Sequence, residues 1–133
     1  MHRDLKPENI LIAPSGRIAI ADFGLSATPD PPTSQFEDWI MTSQAGTLGY
    51  MAPEMLVRKP VYTANVDVWA LGMIFWQLFA DRPNPFWKTL EEVEDQAREM
   101  EGKPLEEALA VLAQEGVDPL LIDLVSKVSL ENV

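Results

Sequence analysis

Residues 2–24 have the sequence HRDLKPENILIAPSGRIAIADFG, which contains the most informative pattern of the chain. Two short apolar segments, from Ile10 to Ile12 and from Ile18 to Ala21, flank Ala13-Pro14-Ser15-Gly16. Proline at the second position and glycine at the fourth position suit a type I turn. The spacing therefore predicts a tight β-hairpin, which brings the residues before its first strand and after its second strand to the same end.

Three further motifs accompany residues 2–9. Asp22-Phe23-Gly24 follows the second strand, Ala52-Pro53-Glu54 lies downstream, and Asp67-Val68-Trp69 leads to Gly72 inside an apolar segment. In this order and at these separations the four motifs resemble those of eukaryotic-type protein kinases, in which the first is the catalytic loop and the second binds metal. The resemblance is strong from Met1 to about Trp87 and thinner beyond.

The resemblance implies phosphoryl transfer from ATP, a reaction that depends on positioning and charge neutralisation more than on covalent chemistry. Asp4 would accept the proton of the substrate hydroxyl, and Lys6 would hold the transferring phosphate. Asn9 and Asp22 would bind Mg²⁺, because this ion prefers oxygen ligands. ATP and Mg²⁺ are therefore the expected cofactors, and Leu11 would face the adenine of the nucleotide.

The class of substrate follows from the same resemblance. Lys6 and Gly46-Thr47 resemble the Ser/Thr class of kinases and not the tyrosine-specific class, which implies protein substrates that offer a Ser or Thr hydroxyl. In the Ser/Thr class the threonine hydroxyl bridges the catalytic aspartate and lysine. Thr47 is therefore expected beside Asp4 and Lys6 as a third catalytic residue, although Leu48 stands where many members have proline.

Five residues are expected to support the site without reacting: His2, Phe23, Gly24, Glu54 and Asp67. By resemblance, the His2 ring packs against Phe23. For Phe23, as for Leu11, ordinary core packing is the alternative interpretation. Asp67 would accept backbone amides of the catalytic loop, because a buried carboxylate needs hydrogen-bond donors. In the family, the glutamate that matches Glu54 pairs with a buried arginine further along the chain, yet no arginine follows Arg98 here.

A regulatory site is also expected. Arg3 resembles the arginine that pairs with a phosphate on the activation loop in kinases switched by phosphorylation. Ser43 lies eleven residues before Glu54, near the usual position of that phosphate, and Thr42 is its neighbour. We therefore hypothesise that Ser43 or Thr42 is a switch site. The alternative is that both are ordinary solvated loop hydroxyls.

The remainder of the chain predicts one long loop followed by helices. The segment from Ser26 to Gln44 is rich in Pro, Ser, Thr and Asp and corresponds to the activation loop. Residues from Ala64 to Ala80 are apolar on nearly every side, with Thr63 available to cap the start, which predicts a helix buried in the core.

Three more helices are predicted after the Pro83-Asn84-Pro85 break. Their signals are a capping box at Thr89 and Glu92 for a helix to about Met100, stops at Gly102 and Gly116, and a start at Asp118-Pro119. The predicted fold class is thus α+β and mainly helical. Residues 1–133 are expected to be a partial protein kinase domain, a C-terminal lobe with a small β-hairpin and a long activation loop, and without the N-terminal lobe.

Composition narrows the classes of partner. The chain has 133 residues, a net charge of −11, no cysteine and one histidine, which excludes disulfides, thiolate sites and histidine-based metal clusters. Its negative charge would repel a phosphate backbone, so nucleic acid is not an expected partner. The sequence shows neither a signal peptide nor a segment of membrane-spanning length, so no membrane is expected and the location is expected to be cytoplasmic or nuclear.

In the family, segments of the N-terminal lobe bind the ATP phosphates, and the sequence does not contain these segments. It has no Gly-x-Gly-x-x-Gly pattern. A longer gene product with the N-terminal lobe is therefore expected, and the isolated chain is expected to be inactive. The alternative is a non-catalytic docking or regulatory module for an intact kinase, acting through acidic helices from Thr89 to Gly116. The intact Asp4, Lys6, Asn9 and Asp22 favour the enzyme, because a binding module does not need magnesium ligands.

Overall fold

The computed structural model describes residues 1–28, 45–56, 62–83 and 103–130. In chain order the regular elements are a 3₁₀ turn Pro7–Asn9, strands β1 (Ile10–Ile12) and β2 (Ile18–Ile20), 3₁₀ turns Leu48–Tyr50 and Pro53–Met55, and helices α1 (Asn65–Ala80), α2 (Lys103–Gln114) and α3 (Pro119–Leu130). The described part of the chain is therefore mainly helical, with one small antiparallel sheet.

The predicted hairpin is confirmed. β1 and β2 pair antiparallel with Ile10 opposite Ile20 and Ile12 opposite Ile18. The amide of Gly16 donates to the carbonyl of Ala13 at 2.8 Å and closes the turn, and Gly16 has a φ of 80°, a left-handed conformation that glycine adopts without a steric penalty. One further backbone bond, from the amide of Ala21 to the carbonyl of Asn9 at 2.9 Å, extends the pairing to the residues beside the predicted metal ligands.

Helix α1 forms the centre of the core. It begins at Asn65, one residue later than predicted, and the Thr63 hydroxyl accepts the amide of Asn65 at 3.3 Å. Its buried side chains include Trp69, Met73 and Trp76. The prediction of a helix buried on all sides is wrong in one respect, since Leu78 is 65% exposed.

The junction between α2 and α3 follows the predicted signals. Gly116 has a φ of 76°, and its amide donates to Ala113 while the amide of Val117 donates to Leu112, which together form a Schellman motif. The Asp118 carboxylate then accepts the amide of Leu120 at 2.8 Å and caps α3, with proline at the first helical position.

The two C-terminal helices pack on α1. The indole N–H of Trp76 donates to the carbonyl of Ala108 at 2.8 Å, so a buried polar atom of α1 is satisfied by the backbone of α2. Leu112 of α2 and Val125 of α3 are fully buried in the same core. The core thus joins all three helices to the turns that follow residue 45.

Several predictions fall on residues outside those described. These are most of the loop from Ser26 to Gln44, with Thr42 and Ser43, the helix from Thr89 to about Met100, and the stop at Gly102. Within the described ranges, none of the helices is long and apolar enough to cross a membrane.

Candidate active site

The N-terminal loop is held by the first turn of α1. Asp67 accepts the amide of His2 at 2.7 Å with one carboxylate oxygen and the amide of Arg3 at 2.8 Å with the other. Arg3 has a φ of 69°, which is uncommon for a residue with a side chain. Two charge-assisted bonds to one carboxylate fix the backbone in this conformation just before Asp4.

Asp4, Lys6 and Thr47 form a closed triangle of polar contacts. The Thr47 hydroxyl donates to Asp4 Oδ1 at 2.6 Å and accepts from Lys6 Nζ at 2.8 Å. Lys6 Nζ also lies 3.0 Å from Asp4 Oδ2. Residues more than 40 positions apart in the sequence thus meet around one carboxylate.

The environment of Asp4 favours its ionised form. Burial alone would raise the pKa of Asp4, but the hydrogen bonds from Thr47 and Lys6 and the positive charge of Lys6 outweigh burial and lower the pKa below its ordinary value. Asp4 is therefore a carboxylate at neutral pH, able to accept a hydrogen bond from a further hydroxyl.

Asn9 is part of the same network. Its side-chain Nδ2 donates to the carbonyl of Asp4 at 2.8 Å and to Asp4 Oδ2 at 3.4 Å. Both bonds use the nitrogen, so within the described part of the chain the Oδ1 atom of this buried amide is left to serve a ligand.

Asp22 follows the residue that pairs with Asn9 across the hairpin. It is exposed and has a φ of 59°, and its Oδ1 accepts the amide of Gly24 at 3.2 Å. A carboxylate oxygen and an amide oxygen at one end of the hairpin fit the ligand preference of Mg²⁺.

The predicted supporting residues lie around this network. The rings of His2 and Phe23 are 5.0 Å apart in an edge-to-face arrangement, and His2 Nε2 lies 3.0 Å from the carbonyl of Ala21. Phe23 nevertheless remains 63% exposed, and Leu11 is 54% exposed on β1. A side chain at Gly24 would approach the Asp22 carboxylate to 3.1 Å, so this glycine leaves room for the turn.

Glu54 takes no part in the hydrogen bonds of the triangle. Its Oε2 is buried and has no hydrogen-bond partner among the described residues. Burial raises the pKa of Glu54, while a bond from its own backbone partly opposes the shift. The Arg3 side chain, which is predicted to pair with a phosphate, bonds a backbone group, since its Nε donates to the carbonyl of Leu25 at 2.6 Å.

Two contacts of the site were not predicted from the sequence. Gly46 has a φ of 129°, and a Cβ atom there would lie 2.5 Å from the carbonyl oxygen of Arg3, so only glycine allows this approach. The hydroxyl of Tyr50 donates to Gln77 Oε1 on α1 at 2.6 Å. The available signal was Gln77 itself, a polar residue that follows nine residues of α1 without a polar side chain other than the Trp indoles.

Comparisons with known proteins identify relatives of this chain. The family model described as the protein kinase domain matches residues 1–131. CBL-interacting serine/threonine-protein kinase 5 of Arabidopsis thaliana is 43% identical over 79 residues, which are 59% of this chain and 17% of that protein. Serine/threonine-protein kinase KIN28 of Saccharomyces cerevisiae is 42% identical over 83 residues, which are 62% of this chain and 26% of that protein.

A third relative matches with similar identity and coverage. Cyclin-dependent kinase 2 of Caenorhabditis elegans is 41% identical over 83 residues, which are 62% of this chain and 21% of that protein. The matched regions are therefore about a quarter or less of the length of these three relatives. With a family model that matches nearly its whole length, the chain belongs to the protein kinase family.

Proposed function

We propose that this chain is the C-terminal lobe of an ATP-dependent Ser/Thr protein kinase, and that it carries the residues that orient the protein substrate. The observation that supports the proposal best is the triangle of Asp4, Lys6 and Thr47. A buried carboxylate with a lowered pKa, a lysine and a hydroxyl in mutual contact are suited to phosphoryl transfer between hydroxyl groups.

Asp4 is the proposed base. The substrate Ser or Thr oxygen attacks the γ-phosphorus of ATP, the bond from that phosphorus to the β,γ-bridging oxygen breaks, and ADP leaves. The proton of the substrate hydroxyl passes to the Asp4 carboxylate. Because the pKa of Asp4 is lowered, this residue is a carboxylate at neutral pH and can accept a hydrogen bond from the substrate hydroxyl, which orients the attacking oxygen.

Lys6 is the proposed phosphate contact from this lobe. An ammonium group has three N–H donors. Lys6 directs one toward Thr47 Oγ1 and one toward Asp4 Oδ2, so one donor is left for an oxygen of the transferring phosphate. Thr47 holds both partners and so keeps the base and the phosphate contact at a fixed separation.

Asn9 and Asp22 are the proposed Mg²⁺ ligands. The bound ion would neutralise negative charge on the ATP phosphates. Asn9 offers Oδ1 because its Nδ2 is held by Asp4, and Asp22 offers an exposed carboxylate at the adjoining end of the hairpin. Leu11 is the proposed contact to the adenine ring from the same hairpin.

Metal binding is testable without catalysis. In the 133-residue chain, Mn²⁺ as a paramagnetic probe should broaden the NMR signals of Asn9 and Asp22 before those of other residues, and excess Mg²⁺ should reverse the effect. Asp22→Asn should weaken the broadening. Broadening that centres on other acidic residues instead, such as Glu106 and Glu107 on α2, would contradict the assignment.

Catalysis is testable in a chimera that replaces the matching 83-residue segment of the Caenorhabditis elegans cyclin-dependent kinase 2 with residues from this chain. We expect transfer of the labelled γ-phosphate to a protein substrate, and a loss of at least about 100-fold in kcat for Asp4→Asn. Arg17→Gln, which removes a charge from the exposed hairpin turn, is the control and should retain activity. Equal activity of Asp4→Asn and the parent chimera would contradict the proposal.

The 133-residue chain on its own should transfer no phosphate, because its sequence has no Gly-x-Gly-x-x-Gly pattern and neither described strand carries a lysine for the ATP phosphates.

Arg3 is the proposed partner of a phosphate on Ser43 or Thr42. Phosphopeptide mapping of an active form that finds both hydroxyls unmodified would exclude this switch.

A further inference from the structure

Helix α1 is attached to both halves of the candidate active site. Near its start, Asp67 accepts the amides of His2 and Arg3, just before Asp4. Ten residues later, Gln77 accepts the hydroxyl of Tyr50 at 2.6 Å, three residues after Thr47. One rigid helix, about 15 Å long between these two positions, therefore holds the two chain segments that carry the triangle.

The contact at Tyr50 is linked closely to Thr47. The amide of Tyr50 donates to the carbonyl of Thr47 at 2.9 Å, which closes the turn that begins at Thr47. On the other side of Thr47, Gly46 lies directly against the backbone of Arg3. Thr47 is thus positioned between one packing contact that needs glycine and one hydrogen bond that needs Tyr50.

The chemistry of the pair suits a constant attachment. Burial and the nearby charge of Glu8 raise the pKa of Tyr50, although the bond to Gln77 partly opposes them, so the hydroxyl remains a donor at neutral pH. Gln77 carries no charge at any pH. Gln77 lies between apolar residues on α1, where a polar side chain loses hydration and therefore needs a hydrogen bond.

We propose that the Tyr50–Gln77 hydrogen bond is a positioning contact for phosphoryl transfer, because it fixes the turn Leu48–Tyr50 on α1 and so holds the Thr47 hydroxyl between Asp4 and Lys6. This inference rests on the proposed function for its catalytic part. Tyr50 acts through Thr47 and does not touch the reacting atoms.

The positioning is tested first by NMR on the 133-residue chain. Tyr50→Phe and Gln77→Leu should each increase hydrogen exchange at the amides of Tyr50 and Met51 by about five- to tenfold, and three-bond couplings should show the Thr47 side chain averaging over several rotamers. Exchange within α1 should stay unchanged. Gln77→Glu keeps an acceptor and should keep the parent behaviour.

The control is Tyr62→Phe, which removes a buried tyrosine hydroxyl elsewhere in the core. Its effect should be confined to overall stability, with the parent couplings at Thr47. The double variant of Tyr50→Phe and Gln77→Leu should be no worse than either single variant, because both remove one bond. Unchanged Thr47 couplings in Tyr50→Phe would overturn the inference, whatever the outcome of the kinase assay.

The catalytic part is tested in the chimera. Tyr50→Phe and Gln77→Leu should each lower kcat about five- to tenfold and leave KM for ATP unchanged. Gln77→Glu, which keeps an acceptor, should keep the parent kcat. A parent chimera without transfer would count against the proposed function, and the NMR result would then still decide the positioning. A Tyr50→Phe chimera with the parent kcat would overturn the catalytic role of this contact.

Discussion

The Thr47 hydroxyl acts as donor and acceptor at once, and this double role sets the protonation of its neighbour. It donates to Asp4 and accepts from Lys6, so both of its strong hydrogen bonds involve a charged group. Such bonds stabilise the carboxylate form of Asp4 against the cost of burial. The ionisation of Asp4 therefore reports on whether Thr47 is in place.

We predict that Thr47→Val raises the pKa of Asp4, because it removes the donated bond and leaves the burial. Since the pKa is lowered in the folded state, Asp4 contributes stability above its unfolded pKa of about 3.9 and loses it as pH falls through the folded pKa. Carbon-13 NMR of the Asp4 carboxyl measures the shift. Thr47→Ser keeps the hydroxyl and is the control, and identical titrations in all three proteins would contradict this account.

The pKa shift of Glu54 is opposite in sign to that of Asp4. Its pKa is raised, so its contribution to stability is complete below the unfolded pKa and is lost as pH rises through the folded pKa. We predict that Glu54→Gln makes the 133-residue chain more stable at pH 8 and leaves it little changed at pH 4. Urea unfolding at the two pH values measures the difference, and a Gln variant that is less stable at pH 8 would show that the carboxylate has a favourable partner.

For individual residues, the sequence predicted that Asp4, Lys6 and Thr47 meet and that Asp67 holds the loop before Asp4, but not what attaches the Thr47 turn to α1. The placement of Asp4, Lys6 and Thr47 in one triangle agrees with the expectation from the family motifs, while their roles remain proposals. The bond from Tyr50 to Gln77 spans 27 positions, and no local pattern specifies a pairing across that separation. Long-range contacts of this kind depend on packing that a motif does not encode.

Among the elements, those with strong local signals were the ones predicted well. The hairpin turn is determined by Pro14 and Gly16, and the ends of α2 and α3 by Gly116 and Asp118, because each signal acts through its own backbone. The exposure of Leu78 was not predictable in the same way, since it depends on which neighbours cover that face of α1.

The cap of α3 provides a test at this scale. We predict that Asp118→Ala lowers the free energy of unfolding by about 1 kcal/mol, because the amide of Leu120 loses its acceptor. Asp123→Ala removes the same charge from an exposed pair with Lys127 on the same helix and should cost no more than about 0.5 kcal/mol. Chemical denaturation of both variants gives the comparison, and equal losses would mean that the cap contributes no more than an exposed ion pair.

Across the whole molecule, apolar surface is distributed unevenly. The core joins α1, α2 and α3, whereas the hairpin leaves Ile12 at 74% and Ile18 at 70% exposure. These two residues face each other across the strands. Because the described sheet has two strands, each strand is also an edge with an unpaired outer backbone, and edges of this kind pair readily with other chains.

We therefore predict that the 133-residue chain self-associates through its hairpin at tens of micromolar. Replacing Ile12 and Ile18 with threonine keeps strand propensity while removing apolar surface, so sedimentation velocity should show a larger monomer fraction and circular dichroism an unchanged melting temperature. The matched control replaces Leu120 and Leu124 on α3 with glutamine, where no sheet edge is present, and should change association less. If the helix variant dissociates the assembly and the hairpin variant does not, apolar area on α3 drives association and the sheet edge is irrelevant.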